Sequence, residues 1–194
     1  MKFALFGLGN PGPQYFETRH NVGHWFLDSL ADIGEAKYNK DNLFETSSFS
    51  FESVNITLIK SLRYMNLNGI GLANLLRKHS FTEANFMLVQ DEVNLPLGTA
   101  KLSHGKSAGG HNGVSSVLDQ LGYSPLRLRI GVSNENKSQF KLSEFVLSKF
   151  SQAEKKVLDD LFPKLLHSIR LLICHGFAIA CNYTNRNPIP SPTI

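Results

Sequence analysis

Cysteine is nearly absent: Cys174 and Cys181 are the only two in 194 residues. They lie seven apart in a helical pattern, about two turns along one face, which is too far for a disulfide. The pattern reads as two buried thiols in a reducing compartment. No stretch approaches the ~18 consecutive apolar residues of a membrane span, so no transmembrane helix is expected. The N-terminus runs directly into a strand-like segment and lacks the small-residue cleavage region of a secretory signal. These points jointly indicate the cytoplasm. Neither sign of charge dominates: Lys and Arg number 20 against 16 Asp and Glu, giving +4 and a pI of about 9.1. Such a balance argues little for a polyanionic partner by itself. No G-x-S-x-G elbow is present, which argues against a serine hydrolase. His20 and His24 have the spacing of a zinc helix, but Asn21 stands where H-E-x-x-H needs its glutamate. Neither cysteine has a second ligand at metal spacing. No metal and no cofactor are expected. No repeat and no linker divide the chain.

What is present is an alternation of strand and helix patterns. Residues 3–6 form a short apolar run of the kind buried in a central strand. Val22, Trp25, Phe26, Leu30 and Ile33 recur at steps of three and four, predicting a helix over residues 20–33 that stops at Gly34. Residues 39–45 read as a loop, and 46–52 and 54–61 as two adjacent strands. A helix is expected over 69–78, a central strand over 86–89, a short strand over 99–102 and a helix from His111 to about Leu121. Residues 126–132 alternate apolar and basic, setting Arg127 and Arg129 on one side of a strand. Residues 134–141 read as polar loop. Residues 151–173 are helical, with Pro163 expected to kink or divide the helix. A short helix over 177–183 and a proline-bearing tail follow. The expected architecture is one α/β domain over residues 1–185. It holds a mixed, mostly parallel twisted sheet with helices on both faces and C-terminal helices. Residues 186–194 are expected as a flexible tail.

The stretch over residues 3–24, F-A-L-F-G-L-G-N-P-G-P-Q-Y-F-E-T-R-H-N-V-G-H, organises the rest. It reads as a strand, a turn-rich loop and a helix start, which places polar groups where open α/β sheets bind ligands. Gly7, Gly9 and Gly12 satisfy the dinucleotide fingerprint G-x-G-x-x-G. Pro11 and Pro13 oppose the helix that this fingerprint requires at the glycines. No acidic residue closes a second strand about 20 positions on. The other reading is that the loop aims Asn10, Tyr15 and His20.

These residues carry a resemblance. G-L-G-N-P-G-P-Q-Y-F-E-T-R-H-N-V-G resembles the opening signature of the bacterial-type peptidyl-tRNA hydrolase family. Tyr64-Met65-Asn66 with Gly69 resembles a second block of that family, and D-E-V-N-L-P-L-G continuing to G-G-H-N-G at residues 109–113 resembles a third. The blocks fall in the family's order over roughly residues 1–185. The resemblance implies a metal-independent, cofactor-free hydrolase. It would cleave the ester between a peptide and the 3′ ribose of tRNA and so recycle peptidyl-tRNA released prematurely from ribosomes.

An Asp–His pair fixes an imidazole's tautomer and raises its proton affinity. The resemblance carries the roles of base and orienting partner onto His20 and Asp91. Taken alone, the two read more readily as a histidine satisfied by a backbone carbonyl and a turn aspartate, and it is the resemblance that reverses this. Asn66 is expected as the oxyanion donor, since a neutral amide can stabilise an oxyanion without charge of its own. The resemblance implies that Asn10 and Asn112 bind substrate and water and that Tyr15 meets the terminal adenosine, and Met65 is expected to line the pocket. His111 is read as a binding residue. Singly, each asparagine is also an ordinary turn residue. The resemblance implies a basic pair for the tRNA 5′-phosphate. Arg129 occupies one position, while the other falls on Ser103, with Lys101 or Lys106 as replacement. Ser61, Arg63 and Asn68 also depart from the family pattern, at places read as rim rather than chemistry. The basic set on the last helices, Lys155, Lys156, Lys164, His167 and Arg170, fits a solvated face or a tRNA contact equally. The expected partner is peptidyl-tRNA, held by its acceptor end and 5′-phosphate. No membrane or obligate protein partner is expected, and the chain is read as a monomer. The rival readings are an RNA-binding protein without catalysis and a dinucleotide-binding oxidoreductase.

Overall fold

The computed structural model describes residues 1–192. β1 (Lys2–Gly7) is a central strand, and its run F-A-L-F is apolar at every position because both faces are covered. A 3-10 turn at Arg19–Asn21 leads into α1 (Val22–Ile33), so His20 precedes the α-helix expected to contain it. A two-residue β2 (Asn39–Lys40) falls inside the expected loop over 39–45 and joins β3 (Phe44–Phe51) and β4 (Val54–Ser61). α2 (Leu72–Lys78) starts three residues later than expected, because Gly71 is left-handed at φ 81° and cannot continue a helix.

β5 (Phe86–Pro96) extends well past Val89. Its polar continuation stays in the sheet because β7 (Leu126–Ser133) pairs with it through Asp91–Ile130 and Glu92–Gly131. Between them in sequence come β6 (Ala100–His104) and α3 (Asn112–Leu121). α4 (Leu142–Leu147) follows the polar loop. α5 (Gln152–His175) is not divided at Pro163, since Leu158, Leu161, Leu165 and Ile169 on either side of it are buried in one core. α6 (Phe177–Thr184) ends the helices.

The sheet order is β2-β3-β4-β1-β5-β7-β6. The inner strands β4, β1, β5 and β7 are parallel, and the outer ones antiparallel. This is the expected single-domain α/β architecture. Alternation along each strand sends Leu5, Leu58, Met87 and Leu128 to a core shared with α1 and α5. Phe6, Ile59 and Leu88 face a second core with Val114 and Val117 of α3. The connection from β1 to β4 carries α1, that from β4 to β5 carries α2, and β4 and β5 flank β1 on opposite sides. The carboxyl ends of β1 and β5 therefore meet at a switch point, where such sheets place their sites.

Two sequence expectations differ in detail. Cys174 is exposed and Cys181 half-buried, so neither is the fully buried thiol expected; Cys174 lies in the last turn of α5. The stretch after α6, read as a tail, returns to the core. Ile189 is 2% exposed and the Tyr183 hydroxyl donates to the Pro190 carbonyl at 2.6 Å. Residues 193 and 194 of that stretch lie outside the described residues.

Candidate active site

Three backbone segments bring His20, Asp91 and His111 together. Asp91 lies in β5, His20 on the turn before α1, and His111 is the residue capping α3. His20 Nδ1 lies 2.9 and 3.0 Å from the two Asp91 carboxylate oxygens, and His111 Nε2 lies 2.8 Å from Oδ1. The caps decide the protons. His111 Nδ1 accepts from the Gly113 and Val114 N–H groups at 3.1 and 3.4 Å. The proton of its neutral ring is therefore on Nε2, donated to Asp91. His20 likewise donates from Nδ1, and its Nε2 keeps a lone pair. Burial would raise the Asp91 carboxyl, but the two imidazoles beside it outweigh that and hold it well below the usual carboxylate range. The Asp91 side chain is 1% exposed and that of His20 12%, so solvent reaches the imidazole and not the carboxylate.

Asparagines register the loops around this pair. The Asn21 side chain accepts from Asn10 N at 2.8 Å and donates to Asn10 O at 2.9 Å. Asn68 grips the preceding residue in the same way, accepting from Gly9 N at 3.1 Å and donating to Gly9 O at 3.0 Å and to Arg63 O at 2.8 Å. Asn68 is fully buried, so this departure from the family pattern sets the backbone beneath the site rather than the rim. Neither clamp is visible in sequence, because each acts on the backbone of a distant loop. Asn10 Oδ1 accepts from Met65 N at 2.7 Å, and its Nδ2 has no protein partner among the described residues. Met65 is buried against the first turn of α3, where a Cβ on Gly113 would stand 2.4 Å from its sulfur. Asn66 and Asn112 are exposed, and neither side chain has a protein partner among the described residues. Tyr15 is half-buried, edge-on to Tyr64 at 6.3 Å.

A cavity of about 310 Å³ opens beside the triad, lined by His20, Asp91, His111, Asn112, Leu142 and Val146 among others. Leu142 and Val146 come from α4, which sequence periodicity missed because the helix is only six residues long. Asn10, Met65 and Asn66 are not among its lining.

The basic residues divide by burial. Arg127 is 5% exposed and donates to Gln90 Oε1 at 2.9 Å and Ser107 O at 2.6 Å, so it braces the loop before α3. Arg129 donates to Glu92 Oε2 at 3.2 Å, and its buried Nε has no partner among the described residues. Lys101 is exposed and lies directly opposite Arg129 across β6 and β7; Ser103 lies opposite Arg127. On the last helices, Lys155 pairs with Glu17 and Arg170 with Glu52, which dilutes that basic set.

The two histidines of the zinc-like spacing go to different places. The His24 ring packs on Gly9, and its buried Nε2 has no partner among the described residues. Burial, with the Lys60 charge, pushes its pKa down to about 3. The three residues whose ligand atoms lie within 4.8 Å of one another are His20, Asp91 and His111. The glycines do not act as a dinucleotide fingerprint. Gly7 is packed on the Gly23 carbonyl, Gly9 on the His24 ring, and Gly12 has φ 103° before a 3-10 turn.

The family model described as peptidyl-tRNA hydrolase matches residues 4–191. The chain belongs to this family. A peptidyl-tRNA hydrolase from Borrelia turicatae is 38% identical over 187 residues, covering 96% of this chain and 95% of that protein. One from Tropheryma whipplei is 34% identical, covering 98% of each. Among solved structures, the Arg119Gln mutant of the Acinetobacter baumannii peptidyl-tRNA hydrolase superposes with a TM-score of 0.85 at 28% identity, covering 94% of each chain. Membership accounts for the sheet order and the three blocks together, and the oxidoreductase and non-catalytic readings are not favoured. No helix among the described residues is long and apolar enough to cross a membrane.

Proposed function

We propose that this chain hydrolyses the ester between a peptide and the 3′ ribose of tRNA, using water activated by His20. The observation that carries the reading is the fixed proton arrangement around Asp91: His20 donates from Nδ1 and presents an unprotonated Nε2 beside an open cavity. His20 takes a proton from water, and the resulting hydroxide attacks the ester carbonyl. Asp91 stays anionic and steadies the imidazolium. The same proton then passes to the departing ribose oxygen. Positioned acid–base chemistry of this kind contributes about 10²–10⁴-fold. Asn66, exposed and unpaired among the described residues, supplies an amide N–H to the oxyanion.

The reading is metal-free on chemical grounds. A metal held by His20, Asp91 and His111 would need the lone pair of His111 Nε2. That forces the ring proton onto Nδ1, against two backbone N–H donors. Discrimination follows from the same inventory. Asn10 Oδ1 is already engaged by Met65 N, so Asn10 offers Nδ2 as a donor. A donor suits the carbonyl of a blocked amino group, whereas a free α-ammonium at that place meets a donor instead of an acceptor and loses its hydration uncompensated. Asn112 and His111 edge the cavity on the substrate side, with Tyr15 stacked at the terminal adenosine. Lys101 and Arg129 take the 5′-phosphate, Lys101 standing in for the basic residue missing at Ser103. The protein works as a cytoplasmic monomer.

A single-turnover assay with N-acetyl-phenylalanyl-tRNA tests this, with chelator present and phenylalanyl-tRNA as control. The expected result is cleavage of the blocked substrate only, with His20→Ala slower by about 10² or more. A His20→Ala rate near that of wild type would refute the assignment of the base.

A further inference from the structure

Arg19 precedes His20 in the same 3-10 turn and is 4% exposed, which is rare for a guanidinium. Its Nε donates to Ser148 Oγ at 3.1 Å and its Nη1 to Val132 O at 3.3 Å. Its Nη2 donates to both Glu154 oxygens at 2.8 and 3.0 Å. The guanidinium lies 4.6 Å from the Phe145 ring centre and 4.9 Å from that of Phe150. Glu154 is fully engaged as well: it accepts from Asn134 Nδ2 at 2.7 Å and from Ser151 N at 2.8 Å at the start of α5. The backbone follows the side chain. Arg19 N donates to Ser148 O and Phe150 N donates to Glu17 O, each at 3.1 Å, and Thr18 bridges to Lys149.

We propose that Arg19, held by Glu154, is a positioning residue for the reaction proposed above. It sets the place of the His20 imidazole against Asp91 and, through Ser148 and Phe145, the place of the α4 wall of the cavity. This rests on the reading of His20 as the base. A three-residue turn cannot fix its own orientation. A planar donor fork with partners on β7, the end of α4 and α5 admits one placement, where an apolar anchor in the same space would leave rotation free. Burial of the charge enforces it, since an unpaired guanidinium there is strongly disfavoured.

The experiment compares wild type with Arg19→Lys, Glu154→Gln and Leu165→Ala, the last a core truncation elsewhere on α5. The assay separates kcat from KM for N-acetyl-phenylalanyl-tRNA, well below each Tm, and ¹H–¹⁵N spectra follow the His20 side chain. Lysine keeps the charge but loses the fork, so Arg19→Lys is expected to lower kcat about ten-fold or more and to shift the His20 Nδ1–H resonance, the scale set by the cost of small misplacements. KM should stay within about twofold, as for an interaction felt only in the transition state. Glu154→Gln should move both readouts the same way but less, and it keeps the test in force if Arg19→Lys fails to fold. Leu165→Ala should lower Tm alone. A folded Arg19→Lys with lower Tm but unchanged kcat and His20 resonance overturns the proposal, as does an equal loss of kcat in Leu165→Ala. Failure of wild type to cleave would sink the hydrolase reading, and the His20 resonance would still decide the role of Arg19.

Discussion

Replacing Asp91 by asparagine keeps the shape of the side chain and removes its charge. The carboxylate accepts from two imidazole N–H groups at 2.8 to 3.0 Å. An amide has one oxygen and brings two donors. His111 cannot adapt, because its Nδ1 is held by the Gly113 and Val114 N–H groups and its Nε2 must donate. The new amide oxygen therefore takes the Oδ1 place, shared between His111 Nε2 and His20 Nδ1, and the new NH₂ takes the Oδ2 place, 3.0 Å from His20 Nδ1, where it donates to that nitrogen once its proton has moved. His20 then carries its proton on Nε2, the atom that should receive the proton of water. The base is lost by tautomer, without displacement of any backbone. General-base contributions of about 10²–10⁴-fold set the scale, and a fall in kcat of about 10³-fold, or ~4 kcal/mol in the barrier, is expected. KM should barely move. Stability changes less. Two charge-assisted bonds of about 1.5–3 kcal/mol each are set against a desolvation cost that the amide avoids, leaving a net loss of about 1–2 kcal/mol at neutral pH. The sign follows from the depressed Asp91 pKa: its stabilisation is present above the unfolded carboxylate range and is lost as pH falls through that range and below. The assay is single-turnover hydrolysis over pH 5–9, with ¹⁵N spectra of the ring nitrogens. An Asp91→Asn protein with kcat within about threefold of wild type, equivalent to ~0.7 kcal/mol, and with the His20 proton still on Nδ1 would refute this reasoning.

Three further perturbations test other levels of the argument. His24 is buried with an unpartnered Nε2 and a pKa pushed down to about 3, so the unfolded chain takes up a proton that the native state refuses between roughly pH 6.5 and 3. Wild-type stability should fall on acidification through that window by up to about 1.4 kcal/mol per pH unit, and His24→Phe should flatten the slope at a cost within about 1 kcal/mol at pH 7, read from urea midpoints. Gly23→Ala places a Cβ 2.6 Å from both the Leu8 and the Val89 carbonyl oxygens, backbone atoms that cannot yield, so a loss of about 1–3 kcal/mol or more is expected together with reduced kcat. Lys101→Ala should raise KM without lowering kcat and reduce the salt dependence of tRNA binding by about one unit of slope, whereas Glu92→Gln, which frees Arg129, should lower KM.

The sequence exposes what burial writes into it. F-A-L-F announces a central strand because both faces of β1 are covered, and the alternation of apolar and basic residues places Arg127 and Arg129 on one face of β7. The same signal misjudges β5. Hydropathy drops at Gln90, yet hydrogen bonding to β7 continues to Pro96, so Asp91 sits within a strand rather than beyond its end. Leu142–Leu147 is too short for a helical period to emerge, and it forms a wall of the cavity. The parts played by Asn21, Asn68 and Arg19 do not show in sequence because their partners lie on distant segments: other loops for the asparagines, and β7, the end of α4 and α5 for Arg19. An asparagine that grips a backbone eleven or 59 residues away looks the same in sequence as one that closes its own turn. Cys174 shows the converse error, a thiol type usually buried but here on the outer side of the last turn of α5. Ile189 was hidden among prolines and read as tail, although a single apolar anchor returns that segment to the core.

Asp91 and Glu92 are consecutive in β5, and alternation sends their side chains to opposite faces of the sheet. One carboxylate lies between the two imidazoles, and the other reaches Arg129, across from Lys101. Extending β5 beyond its apolar part therefore does two jobs at once. The first anion is 1% exposed and screened by two N–H donors, so it adds little repulsion to an approaching polyanion. The second is 13% exposed and holds Arg129 by a single hydrogen bond, its other oxygen accepting from Asn94 N at 3.0 Å, so on the proposed reading a phosphate takes its place on Arg129. Exchange of one anion for another keeps Arg129 compensated throughout, which favours a partner bringing a phosphate over one that brings none. A one-residue slip of β5 against β7 would reverse both assignments, exposing Asp91 to the cations and turning Glu92 toward His20. The pairing of Asp91 with Ile130 and Glu92 with Gly131 prevents that slip, and Gly131 itself is held to glycine by the Pro96 carbonyl, 2.1 Å from where its Cβ would stand. The register of two polar residues at the end of one strand thus ties the place of the Asp91–histidine cluster to the place of the Arg129 and Lys101 charges, which the proposed function assigns to chemistry and to substrate respectively.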